Sequence, residues 1–210
     1  MVKAICFDFG GVLVRIARTW EEACRQAGIE PEDLGGTNAD MIRAVGPAAD
    51  LQSGLVDFEE FIERSHQECN ATHEKALLRA VHAGWLIEEF AGMKEIIDEL
   101  DDIGILTASL SNTDAEHWKT LRGMHSIASL KTQILSFETG FRKPAPEIYH
   151  AAEDLLDVPG SSILLLDDLR ENVEAALRCG WQAYEVDPHG SVPDQTRAAL
   201  LAHGITISGQ

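Results

Sequence analysis

The chain has 210 residues and a formal net charge of −18, from 35 acidic and 17 basic side chains, with 45% of its residues apolar and 25% charged. Length and balance suit one globular domain, or one domain with a modest insertion. The acidity argues against nucleic acid or an anionic membrane as partner, because each phosphate contact would be made against long-range repulsion. An anionic substrate would need a local positive site.

The N-terminal "MVKAICFDFGG" holds an apolar run too short for a signal peptide or a membrane span, and it carries no cleavage-site pattern, so a soluble cytoplasmic protein is expected. The four cysteines, Cys6, Cys24, Cys69 and Cys179, have no C-x-x-C spacing and read as reduced thiols rather than metal ligands. "VKAICFD" predicts a first strand ending at Asp8. From about Arg15 to Leu86 no convincing strand follows. "TWEEACRQAG" ends at Gly28, "DFEEFIERSHQEC" carries Phe58, Phe61 and Ile62 at helical spacing, and "THEKALLRAVHAGW" continues the pattern. This predicts a helical cap over residues 15–87, inserted into a core formed by 1–14 and 88–210, with hinges near 15–18 and 86–91.

Beyond it, "GILTASLS", "SILLLDD" and "AYEV" predict three more strands that alternate with helices. In "PAPEIYHAAEDLL" the residues Ile148, Ala151, Ala152, Leu155 and Leu156 make one helical face, which Pro144 and Pro146 can start. "RENVEAALRCG" repeats the pattern and stops at Gly180, and a final helix closes the chain. Near-continuous apolar strands alternating with helices predict an α/β fold, a doubly wound parallel sheet covered on both faces.

In such a sheet ligands bind beyond the carboxyl ends of the strands. The polar outliers fall there: Asp8 after the first strand, Ser111 and Asn112 after "LTASL", Asp167 and Asp168 after "SILLL". One aspartate at a strand end commonly caps the next helix, but three such ends on one sheet edge make an oxygen-rich site suited to Mg²⁺. Ser111, Asn112 and the helix start after them can hold phosphate oxygens. Lys143, in "GFRKPAPEIY", can reach the same anion.

The order Asp, Ser-Asn, Lys-Pro, Asp-Asp, carried by "FDFGGVLV", "LSNTD", "GFRKPAPEIY" and "ILLLDDLRENVEAA", resembles the haloacid dehalogenase (HAD) superfamily of hydrolases, most of which are phosphatases. The resemblance covers nearly the whole chain and implies a Rossmann-like core with a small helical cap. "SGLVDFEEF" is similar to a cap segment of the phosphatase domain of soluble epoxide hydrolases and of sugar-phosphate phosphatases. It implies that Asp8 attacks phosphorus to form an aspartyl-phosphate. Mg²⁺ would be held by Asp8, the Gly10 carbonyl and Asp168, with Asp167 assisting. Ser111 and, less directly, Asn112 would bind the phosphoryl oxygens, and Lys143 would neutralise charge on substrate and nucleophile. Asn172 would either orient a water ligand or lie on a helix surface.

The resemblance therefore implies a Mg²⁺-dependent phosphatase acting on a small phosphorylated metabolite such as a sugar phosphate. Two other readings stay open. A 2-haloacid dehalogenase uses the same nucleophile without metal, though it has no need of paired Asp167 and Asp168. A non-catalytic regulator would keep the fold and bind a ligand or a protein.

Gly10 is the departure, since the family's majority has an aspartate there that protonates the leaving oxygen and later activates water. Losing a positioned acid–base costs on the order of 10² to 10⁴ in rate, roughly 3 to 5 kcal/mol of barrier. The predicted cap offers His66, His73, His82, Glu63 and Arg18, and the hinge Arg15, yet their spacing singles none out as a replacement. Whether Trp20 and Trp85 are core or exposed decides between monomer and homodimer, and the sequence leaves both open.

Overall fold

Strand β1 (Ala4–Phe7) is apolar at every position and buried throughout, which places it in the middle of a sheet rather than at an edge. In this computed structural model, which describes residues 1–30, 48–68 and 74–208, β1 pairs with β4 (Leu106–Ser111) on one side and β6 (Ile163–Asp167) on the other. The outer neighbours are β5 (Thr132–Leu135) and β7 (Gln182–Glu185). All five strands are parallel, in the order β5-β4-β1-β6-β7. The chain therefore steps outward from β1 in one direction, returns, and steps outward in the other. The carboxyl ends of β1, β4 and β6 flank the point where that order reverses.

Alternation along β1 divides the core in two. Ile5 and Phe7 point to the face covered by α5 (Met93–Asp102) and α11 (Val192–Ala202), where Ile96, Ile97, Leu100 and Leu200 are buried. Ala4 and Cys6 point to the face covered by α9 (Pro146–Leu156) and α10 (Arg170–Arg178), with Ile148, Ala152, Ala175 and Ala176. Each fully buried Leu or Ile contributes about 1.5–3 kcal/mol. The two clusters thereby fix the strand ends against one another.

Among the described residues the remaining α-helices are α1 (Trp20–Gln26), α2 (Ala48–Gln52), α3 (Phe58–Glu68), α4 (Lys75–Ala83), α6 (Ala115–Leu121), α7 (His125–Ser129) and α8 (Ser136–Thr139). Helices α1 to α4 carry small apolar clusters of their own, Leu51, Phe61, Ile62 and Leu78 in one and Ala23, Cys24 and Val81 in another.

Three features depart from the sequence reading. β2 (Val14–Ile16) and β3 (Leu86–Glu89) form a two-stranded antiparallel ribbon at the two ends of the stretch read as strand-free. With three and four residues these strands are too short to show alternation. β5 was not predicted either, because as an edge strand it leaves Thr132 and Gln133 half-buried and interrupts the apolar run. On α9, Leu155 is 59% exposed while Tyr149 is fully buried and donates its hydroxyl to the Asn172 carbonyl at 2.9 Å. The helix is rotated toward its aromatic.

Cys6 and Cys24 are buried and Cys179 is half-buried, all three as free thiols. Cys69 and His73 lie outside the described residues. No helix among the described residues is long and apolar enough to cross a membrane.

Candidate active site

The loop after β1 is held before any ligand arrives. The Asp8 amide donates to Leu166 O at 2.9 Å, and the amides of Leu13 and Val14 converge on Phe9 O at 2.9 and 2.7 Å. The Phe9 amide donates to Asp8 Oδ1 at 2.8 Å, which aims the carboxylate off the strand end. Gly11 is required in this loop. Its φ is +78°, and a Cβ there would lie 2.5 Å from Asp168 Oδ2 and 2.6 Å from Arg18 Nη2.

Lys143 reaches the same point from the loop before α9. Asn112 fixes that loop with both halves of its amide: Nδ2 donates to Lys143 O, and the Lys143 amide donates to Asn112 Oδ1, each at 2.8 Å. The buried Lys143 Nζ then lies 3.0 Å from Asp8 Oδ1 and 2.5 Å from Asp167 Oδ2. Burial alone would discharge the lysine, but Asp167 and Asp8 hold it protonated well above its ordinary range. Burial raises the Asp8 pKa to about 6; Lys143 opposes that, repulsion from Asp167 and Asp168 adds to it, and the Ser111 hydroxyl bonds the carboxylate and lowers it.

The paired aspartates divide their work. Asp167 is fully buried and saturated, since it accepts from Lys143, from the Leu169 amide at 2.9 Å and from Asn172 Nδ2 at 2.9 and 3.1 Å. Asp168 instead faces a cavity of about 360 Å³ together with Asp8 and Gly10. Burial raises its pKa, and Arg18 counters that with Nη2 2.6 Å from Asp168 Oδ2.

These donors fit a hard divalent cation. Carboxylate oxygens of Asp8, Asp167 and Asp168 lie within 4.8 Å of one another. The guanidinium of Arg18 stands beside Asp168 as a positive charge where the cluster requires one. Asn172 Oδ1, in the cavity lining, is buried with no partner among the described residues, an acceptor placed where a cation's water would donate.

A second cluster borders the cavity. Asp114 caps α6 by accepting the Glu116 and His117 amides at 2.9 Å each, and its other oxygen meets His82 Nε2 at 3.2 Å and His117 Nδ1 at 3.0 Å. The His117 Nε2 lies 2.8 Å from the His82 backbone carbonyl, at the end of α4. Both nitrogens of His117 therefore face acceptors, and the ring must carry two protons to serve both. The two rings stack with centroids 3.8 Å apart and 9° between planes. In this arrangement the trio is a hydrogen-bonded tie between α4 and α6.

Burial lowers the pKa of His82, whereas in His117 the pairing with Asp114 outweighs burial and raises it. A raised folded pKa means that the His117 contribution is complete below the unfolded value of about 6.5 and is lost as pH rises through the folded one. His117→Gln is therefore expected to cost about 1–2 kcal/mol at pH 6 and clearly less at pH 9. Urea denaturation at the two pH values measures this, and an equal cost at both would sink the assignment.

Of the residues singled out in the sequence, Asp8, Gly10, Ser111, Asn112, Lys143 and Asp168 line one cavity, and Asp167 lies directly behind it. Asn112 holds the Lys143 backbone with both halves of its amide, and Asp167 accepts from Lys143, Leu169 and Asn172. Arg15 pairs with Glu88 on the surface, and Glu63 with Lys75; neither lines the cavity, nor does His66. The tie through His82 was missed as such, although "TDAEH" carries the capping signal of Asp114.

A carboxylate at a strand end, a buried lysine beside it and a second acid on the same cavity, at the carboxyl edge of a parallel sheet, suit a hydrolase site. A family model for haloacid dehalogenase-like hydrolases matches residues 2–180. The chain belongs to that family. It is similar to the phosphatase MT3486 of Mycobacterium tuberculosis, 25% identical over 99% of this chain and 98% of that protein. It is also similar to the D-ribitol-5-phosphate phosphatase of Bacteroides thetaiotaomicron, 24% identical over 88% of this chain and 92% of that protein. Among solved structures, the magnesium complex of a HAD family enzyme from the same organism matches with a TM-score of 0.78 at 20% identity, covering 93% of this chain and 98% of that one, a likeness of fold.

Proposed function

We propose that this protein is a Mg²⁺-dependent phosphatase that hydrolyses a small phosphate monoester through an aspartyl-phosphate on Asp8. The observation that carries this is the Asp8–Lys143–Asp167 contact facing Asp168 across the cavity. Lys143 keeps Asp8 anionic in a buried setting and leaves it a nucleophile. Ser111, which lines the same cavity, would bind the phosphoryl oxygens alongside Lys143. Mg²⁺, held by Asp8, the Gly10 carbonyl and Asp168 with Asp167 behind them, would supply charge neutralisation at the transferring group. Helices α1 to α4 act as a lid that excludes water, tied to the core through His82–Asp114 and through Arg142, which donates to Gln52 Oε1 at 3.2 and 2.9 Å.

The relatives named as phosphatases support this reading, and the paired aspartates count against a metal-free dehalogenase. Phosphate release from aryl, alkyl and sugar phosphates, with Mg²⁺ and after EDTA treatment, tests it. Release that depends on Mg²⁺ is expected; release of halide from 2-haloacids with no phosphate release would overturn it.

A further inference from the structure

The place next to Gly10 is filled with hydrocarbon. A Cβ built there would lie 2.7 Å from Ile16 Cδ1, 3.5 Å from its Cγ1 and 3.7 Å from its Cγ2. Ile16 ends β2, pairs with Leu86 and packs on the sheet core, so the ribbon holds its backbone while Cδ1 is the free end of the side chain. Residue 10 thus carries no proton donor, and an acid there would have to displace the Ile16 δ-carbon.

Among the described residues, several nitrogen donors around the cavity are engaged elsewhere. Both His117 nitrogens and His82 Nε2 face acceptors, Arg18 faces Asp168, Arg142 faces Gln52, and Lys143 faces Asp8 and Asp167. Facing them, the lining is apolar and aromatic, with Phe9, Ile16, Leu51, Phe61, Trp85 and Leu86. A flat ring would bury against these side chains.

We propose that the substrate is a phosphate ester of a flat, apolar and weakly basic alcohol, an aryl or enol phosphate. This rests on the phosphatase reading above and narrows it. An Asp8 oxygen attacks phosphorus, and the P–O bond to the leaving group breaks with its electron pair going to the aryl oxide. A phenol ionises near pH 10, so that oxide departs without a proton and takes one from solvent afterwards. Water then attacks phosphorus, the P–O bond to Asp8 breaks and restores the carboxylate, and the water's protons pass to phosphate and solvent. An alkyl ester would expel a far more basic alkoxide and would bear the full cost of the missing acid.

The test is kcat/KM with Mg²⁺ for 4-nitrophenyl phosphate, phenyl phosphate, an alkyl phosphate and a pentose 5-phosphate. A fall of about 10²-fold or more from phenyl to alkyl and sugar esters is expected. Gly10→Asp combined with Ile16→Ala, which opens the space and fills it with an acid, is expected to narrow that gap by raising the alkyl ester. Alkyl or sugar esters used as well as phenyl phosphate by the unmodified protein would overturn the inference and leave the phosphatase standing. Silence on every ester would overturn the phosphatase reading and this inference with it. Should the double variant fail to fold, the series on the unmodified protein still decides.

Discussion

Asp8→Asn is expected to reduce phosphate release by about 10⁴-fold or more while leaving the protein folded. The expectation follows from the role and from the setting. An amide oxygen is a poor nucleophile toward phosphorus, and removing a covalent nucleophile from a preorganised site typically costs on the order of 10⁴ to 10⁶. The structure predicts little structural cost, because the asparagine side chain is isosteric and its oxygen can still accept from the Phe9 amide, which bonds Asp8 Oδ1 at 2.8 Å. Lys143 keeps its second carboxylate, Asp167, at 2.5 Å. Turnover of phenyl phosphate, together with thermal unfolding of the same preparations, checks both halves. A variant that unfolds normally and still turns over within tenfold of the parent would exclude Asp8 as the attacking group. A quenched reaction analysed by mass spectrometry is expected to carry one added phosphoryl group on the parent and none on the variant.

What could be read from the sequence, and what could not, divides along physical lines. The strands bearing site residues were legible because each is buried on both faces and reads as a short apolar run stopped by a polar residue: "AICF" before Asp8, "LTASLS" before Asn112, "ILLLD" before Asp168. β5 was not, since an edge strand tolerates Thr132 and Gln133, and the β2–β3 ribbon was not, since strands of three and four residues show no alternation. The same limit separates candidate site residues that the sequence marks from those it does not. Asp8, Ser111, Lys143 and Asp168 announce themselves at strand ends or in a loop before a helix. That Arg18 serves Asp168, or that His82 and His117 share Asp114, depends on contacts between distant parts of the chain with no sequence spacing to mark them. Ile16 is the sharpest case: an isoleucine in a short strand carries no chemical signal, yet its δ-carbon lies where a side chain at residue 10 would begin.

Lys143→Met is expected to damage both stability and turnover, and the two losses should separate. Nζ is the cation between Asp8 and Asp167, 3.0 and 2.5 Å away, and all three side chains are buried. Removing it leaves two carboxylates facing each other across an apolar stem, and deleting one partner of a buried ion pair costs about 3–5 kcal/mol. The charge can be relieved by protonation, and Asp8, already pushed up to about 6 by burial against the opposing pull of Lys143, is the group placed to take the proton. A protonated Asp8 is no nucleophile, so activity should fall by at least the 10² to 10³ that one lost electrostatic donor costs. Adding Asp167→Asn removes one of the stranded carboxylates. The double variant should regain a substantial part of the stability lost in Lys143→Met, measured by urea denaturation in EDTA, while its turnover stays low because the charge near the phosphoryl group is still missing. Coupling of this kind is expected for groups in direct contact. If the costs of the two single substitutions simply added, the three side chains would not act as a unit, and the argument that Lys143 keeps Asp8 ionised would lose its basis.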